Sequence, residues 1–136
     1  MQVVIFELGE EKYAIETSGV QGIDKMMDIT MVPCAPLYIK GLVNLRGNII
    51  TVYDPHIILG NNSINKNSEN ILIIETENEL LGIMVDKVTE IVDIDSSMIK
   101  NISASKEDDR MYIKGTLNIE DYIITLIDVT ALLNAA

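Results

Sequence analysis

The amino-acid sequence predicts an all-β protein built as two small barrels, and three observations carry that prediction. Apolar residues alternate with period two through most of the chain, the pattern of strands with an inward face. The pattern is also written twice. Residues 39–59, IKGLVNLRGNIITVYDPHIIL, lie without a gap over 113–133, IKGTLNIEDYIITLIDVTALL. Residues 3–23 (VVIFELGEEKYAIETSGVQGI) lie likewise over 71–91 (ILIIETENELLGIMVDKVTEI), matching Ile5 with Ile73, Ile15 with Ile83, Val20 with Val88 and Ile23 with Ile91. Helix signals are confined to two short stretches. About ten short strands in two equal sets favour two small barrels over one sandwich.

The elements follow in order. Val3–Leu8 reads as a strand, Gly9-Glu10-Glu11 as a tight turn and Lys12–Glu16 as the return strand. Thr17-Ser18-Gly19 turns the chain before a strand from Val20 to Met27. Met31-Val32-Pro33-Cys34-Ala35-Pro36 is extended and irregular, because proline breaks a sheet ladder and restricts the residue before it. Gly41–Arg46 and Asn48–Tyr53 form a hairpin around a glycine-containing turn. Asp54-Pro55 starts a helix, with Asp as N-cap and Pro in the first turn, and Gly60 ends it. The polar stretch 61–70 is a connector between the halves. Strands near 71–76, 79–85 and 87–94, a loop from about 95 to 109, and a hairpin over roughly 110–127 repeat the programme. Asp128 then caps a short terminal helix ending in Leu132-Leu133.

With 136 residues the chain is one domain by length, and each half, at about 65 residues, is close to the lower limit for an independent core. The first lobe is expected over about 12–64 and the second over about 70–130, with strands and the terminal helix open to exchange between them. A composition 48% hydrophobic and 23% charged is that of a globular chain. No apolar run reaches the ~20 residues of a membrane span, and the N-terminus enters a strand pattern without a basic leader. One cysteine fits a reducing cytosol and leaves no disulfide framework. A net charge of −11 argues against nucleic acid or an anionic membrane surface as the partner.

Residues for chemistry are scarce. The one histidine, His56, has no partner at metal-ligand spacing and reads as a surface or capping residue. Cys34 lies between two prolines without a histidine placed beside it. Asp54 and Asp128 repeat before apolar helical tails, which marks them as caps. The acidic runs Glu10-Glu11 and Glu107-Asp108-Asp109 lack the spacing of a calcium loop. No cofactor or metal is implied.

The sharpest divergence between the repeats is at one turn, where Leu45-Arg46-Gly47-Asn48 becomes Ile119-Glu120-Asp121-Tyr122. Arg46 is one of two arginines, a residue suited to bidentate recognition. The repeated pairs Val20/Ile23 and Val88/Ile91 have two readings, as core residues or as the lining of a groove for an amphipathic helix.

These segments carry a resemblance. FELGEEKYAI with Val20 and Ile23, Val32 to Pro36, IKGLVNLRG (Ile39 to Gly47) and LLGIMVDKV (Leu80 to Val88) resemble the CheW family of bacterial chemotaxis coupling proteins, in order and over nearly the whole chain. The resemblance implies a single domain over 1–136 of two five-stranded SH3-like barrels around a shared core. It implies a non-enzymatic cytoplasmic adaptor, recruited to membrane receptor arrays, that links the cytoplasmic hairpin of chemoreceptors to the regulatory domain of the histidine kinase CheA. Carried over by residue, it implies receptor binding at Val20, Arg46, Val88 and Ile91, and a kinase or adaptor interface at Gly41. Three departures stand out: the strand after NLRG runs Ile50-Thr51-Val52-Tyr53-Asp54-Pro55 without the usual proline and Asp-Leu ending, Gly22 takes a position often acidic, and the loop 95–111 is short and acidic, which sets its kinase contacts apart. A small-ligand-binding barrel, or an enzyme with an acidic cleft, is the alternative.

Overall fold

The first strand of the protein buries both of its faces, and that decides the architecture. The computed structural model describes residues 1–59, 68–77, 79–100 and 112–134. Its strands are β1 (Gln2–Leu8), β2 (Glu11–Glu16), β3 (Val20–Lys25), β4 (Ile39–Leu45), β5 (Asn48–Tyr53), β6 (Asn70–Glu75), β7 (Leu80–Val85), β8 (Lys87–Asp93), β9 (Ile113–Ile119) and β10 (Tyr122–Ile127). Two short helices, α1 (Pro55–Ile58) and α2 (Val129–Asn134), follow the two C-terminal hairpins of the repeats. Gly60 and most of the connector, and much of the loop after β8, lie outside the described residues.

Two five-stranded sheets result, ordered β8-β1-β2-β10-β9 and β3-β6-β7-β5-β4. Replacing each strand by its counterpart in the other repeat turns one order into the other, so the duplication is a structural one. The lobe limits expected at 12–64 and 70–130 follow the repeat, whereas the hydrogen-bonded sheets cut across it. β3 leaves its own hairpin to pair with β6, and β8 does the same with β1. β5 runs parallel to β7, and β10 runs parallel to β2. Each sheet is closed by chain from beyond its ladder: Thr30 exchanges two backbone hydrogen bonds with Leu42 at 2.8 Å, and Lys100 exchanges two with Thr116 at 2.9 Å.

The core has three parts. Val3 and Ile5 of β1 fill one barrel with Ala14, Leu117, Ile124 and Leu126. Ile71 and Ile73 of β6 fill the other with Val43, Ile50, Val52 and Met84. The opposite faces of those strands, Val4, Phe6 and Leu8 of β1 and Leu72 and Ile74 of β6, meet in a central cluster with Leu132 of α2. A strand with apolar residues on both faces is one packed between layers. Asp54 accepts a hydrogen bond from His56 N at 3.0 Å, and Asp128 from Ala131 N at 3.2 Å, which bears out both caps.

Candidate functional site

Leu45 pairs with Asn48, so Arg46 and Gly47 alone make the turn between β4 and β5. Both have positive φ, 51° and 88°, as the two-residue turn that matches strand twist requires. Glycine accepts this conformation freely, while an arginine there bears ~1–2 kcal/mol of strain. Glu120 and Asp121 hold the same geometry at φ 47° and 70° with no glycine. The repeats therefore keep the turn and change its charge. The Arg46 side chain is 77% exposed, and its Nη2 lies 3.8 Å from Asp24 Oδ1 on β3. That contact folds the guanidinium back onto the strand that carries Val20 and Ile23.

Val20 and Val88 are half-buried, and both pack against the central cluster between the sheets. Ile23, at 36%, and Ile91, at 51%, lie exposed on the same two strands. Within each repeated pair the valine packs toward the core and the isoleucine is exposed to solvent. Gly22 leaves open space beside β3, since a Cβ there meets only Asp24 Oδ2, at 3.9 Å. Asp24 is the residue sequence reasoning missed. Its signal was present, because positions 22 and 24 share a face of β3 and an acid is absent from the first.

Gly41 has a structural reason of its own. A Cβ at its φ of 152° would run into the carbonyl oxygen of Thr30 and come within 2.6 Å of Ile29 Cγ2. Gly115 repeats this against Lys100 O at 2.6 Å and Ile99 Cγ2 at 2.7 Å. Both glycines let the closing strand approach.

His56 is not a surface residue. It is buried between Asp54 Oδ1, 3.0 Å from Nδ1, and Asp86 Oδ1, 3.1 Å from Nε2. The first is a hydrogen bond, and the second is a close ion pair out of line with the ring N–H. The hydrogen bond to Asp54 raises the His56 pKa above its usual 6.5; burial opposes the rise, and the Asp86 charge adds to it. With a carboxylate at each nitrogen, the ring has none left to activate a nucleophile. Cys34 is exposed at φ 64°. A crevice of about 200 Å³ lies between Ser18, Glu75, Lys114, Asp128 and Thr130, with Lys114 Nζ on Glu16 at 3.0 Å. It holds no paired nucleophile and base. Among the described residues no helix is long and apolar enough to cross a membrane, and no cluster fits a metal ion.

The model of the CheW-like domain matches residues 2–136. The chain belongs to the CheW family. It is 32% identical to the chemotaxis protein CheW of Treponema pallidum over 105 residues, covering 74% of this chain and 62% of that protein. It is 26% identical to the chemotaxis protein CheW of Helicobacter pylori over 134 residues, 98% of this chain and 81% of that one. In structure it is similar to the scaffolding protein CheW of Thermoanaerobacter tengcongensis, with a TM-score of 0.86 and 31% identity over 96% of this chain and 86% of the other. That likeness bears out the all-β fold of two SH3-like barrels. As a member of the CheW family the chain is a chemotaxis coupling adaptor and not an enzyme, and the ligand-barrel alternative is not favoured.

Proposed function

We propose that this CheW-family chain joins the cytoplasmic hairpin of chemoreceptors to the regulatory domain of the kinase CheA, in the cytoplasm at membrane receptor arrays. The observation that carries the reading is the Arg46 turn. A strained, exposed arginine is held by Asp24 beside a strand whose Val20 reaches the seam between the barrels and whose Ile23 faces solvent. Receptor hairpins are amphipathic helices, and such a helix binds by apolar anchors with a polar clamp at the side. In this reading Ile91, with Ile23, supplies the apolar contact, Val20 and Val88 form the floor, and Arg46 is the clamp. Gly41 is the candidate for the kinase or adaptor interface; its role there is to fix the backbone of β4, since it has no side chain to offer.

The test is a binding assay of the intact chain against a receptor cytoplasmic hairpin and, separately, the kinase regulatory domain. Both are expected to bind wherever an established coupling protein does. Failure of both under those conditions ends the proposal.

A further inference from the structure

Asp86 is the hub of the joint between the two sheets. It follows β7 of one sheet and immediately precedes β8 of the other. Its Oδ2 accepts a hydrogen bond from Gly9 N, in the β1–β2 turn, at 2.6 Å. Its backbone N–H donates to Glu7 O at 3.1 Å, and its carbonyl accepts from Glu69 N at 2.9 Å. The remaining oxygen, Oδ1, faces His56 Nε2, so α1 is tied to this joint through one imidazole. Asp86 and His56 are 4% and 7% exposed, and Asp54 is 8%.

We propose that Asp54, His56 and Asp86 form a proton-operated latch on the seam between the sheets, closed when the ring is imidazolium and loosened when it is neutral. The chemistry is a matter of one donor and one charge. An imidazolium hydrogen-bonds Asp54 through Nδ1 and sets its positive charge against Asp86, 3.1 Å from Nε2. A neutral ring has one N–H, so one carboxylate then faces a lone pair in a site that excludes water. The second repeat lacks the device: the aligned positions are Asp128, Thr130 and Ser18, which border the open crevice there and offer no titratable bridge.

Among the described residues the charged groups that face the ring are Asp54, from its own element, and Asp86. β7, packed against α1, carries no ionisable side chain. Glu7 and Glu69 meet Asp86 through their backbones, the Glu7 carboxylate is paired with Lys12 at 3.9 Å, and Lys87 is exposed. The raised His56 pKa fits this arrangement. A group that holds its proton more tightly when folded contributes stability that is fully present below its unfolded value of about 6.5 and is lost as pH rises through the folded value. The latch therefore opens on the alkaline side.

The experiment uses the intact chain, in which the one histidine gives an unambiguous signal. The imidazole resonances are titrated by NMR from about pH 5.5 to about pH 9, the range in which histidine changes charge. Amide exchange at Gly9 and Asp86 is followed over the same range and corrected for intrinsic rates. His56 is expected to titrate above 6.5. The opening equilibrium at both amides is expected to rise with pH until His56 is neutral, by about tenfold for each unit of the shift. His56→Arg, a fixed cation, should flatten that profile. A folded His56 that titrates at or below 6.5, or exchange at Gly9 that does not change across its titration, overturns the proposal on the unmodified chain, whether or not the variant folds.

Discussion

Arg46 and Asp24 face each other at 3.8 Å where the two edge strands of one sheet come round to meet. β3 and β4 are the ends of that sheet, and the Thr30–Leu42 bridge draws them together. The partners are unequal: Asp24 is 26% exposed and Arg46 77%. So open a pair contributes about 0–1 kcal/mol to stability, and its effect is to orient the longer side chain. Asp24 lies two residues beyond Gly22 on the same face of β3, and a Cβ at Gly22 would meet only its Oδ2, at 3.9 Å.

Arg46→Glu should uncouple the receptor and spare the fold. Glu120 already occupies the equivalent left-handed turn position, so the backbone accepts a glutamate there. The surface change should cost within ~0.5 kcal/mol, with a small addition from repulsion by Asp24. Loss of a desolvated charged contact costs ~2–5 kcal/mol of binding. A near-normal melting temperature with at least a tenfold loss of receptor affinity is the expected pair of results. Asp24→Asn should give a smaller loss in the same direction. Unchanged receptor binding and kinase activation in reconstituted arrays would return Arg46 to an ordinary solvated residue.

Val20→Asp and Val88→Asp separate floor from core. Both valines are half-buried on the central cluster, so a carboxylate at either position costs stability as well as contact. Ile91→Asp, at a 51% exposed position, should leave melting almost unchanged. Receptor affinity is expected to fall for all three variants, while kinase-domain affinity holds for Ile91→Asp. If Ile91→Asp binds receptor normally and the valine variants merely unfold, these positions serve the fold alone.

The repeat, the strands and both caps were legible because each rests on local rules: period-two alternation, turn glycines, an acid before an apolar helical turn. Exchange of strands between the lobes was left open, but which strands exchange was not legible, because a strand's pattern records that a face is buried and not which neighbour buries it. β1 and β6 gave the one hint, in VVIF and ILII, which are apolar on both faces. His56 was misplaced for a related reason. Its partner Asp86 is distant in sequence, and a lone histidine beside a capping aspartate looks the same whether the helix faces water or a second acid. The Arg46 turn could be found because the second repeat shows what the same turn looks like with its charge reversed.

Glycines 41 and 22 should respond in opposite ways to alanine. At Gly41 the new methyl meets Thr30 O, a backbone atom fixed by the closing bridge, so the strand must move. Strain of ~1–3 kcal/mol is expected, and Gly115→Ala should behave alike against Lys100. At Gly22 a methyl finds only Asp24 Oδ2 at 3.9 Å, and the loss of unfolded-state freedom should stabilise by up to ~1 kcal/mol. Thermal unfolding of the three variants checks this. An undisturbed Gly41→Ala protein that has lost kinase binding would place Gly41 at an interface rather than at a packing constraint.

The halves should not fold apart. Separating the chain into 1–64 and 65–136 strips β1 of β8, β2 of β10, β3 of β6 and β5 of β7, so no sheet survives in either fragment with more than the strands of its own half. The central cluster also loses one of its two walls, since Val4, Phe6 and Leu8 belong to one fragment and Leu72, Ile74 and Ile83 to the other. Unpaired edges and an exposed apolar seam together favour aggregation over independent folding. Each fragment alone is expected to show poorly dispersed amide resonances and no cooperative melting. Mixing the two should restore both, because every strand pairing between the halves is noncovalent. Cleaving the link through 61–67 in the folded chain should accordingly lower the melting temperature far less than separating the pieces does. A fragment 1–64 that melts cooperatively by itself would show that one repeat can close its own barrel, and the strand exchange would then be an arrangement the fold permits but does not need.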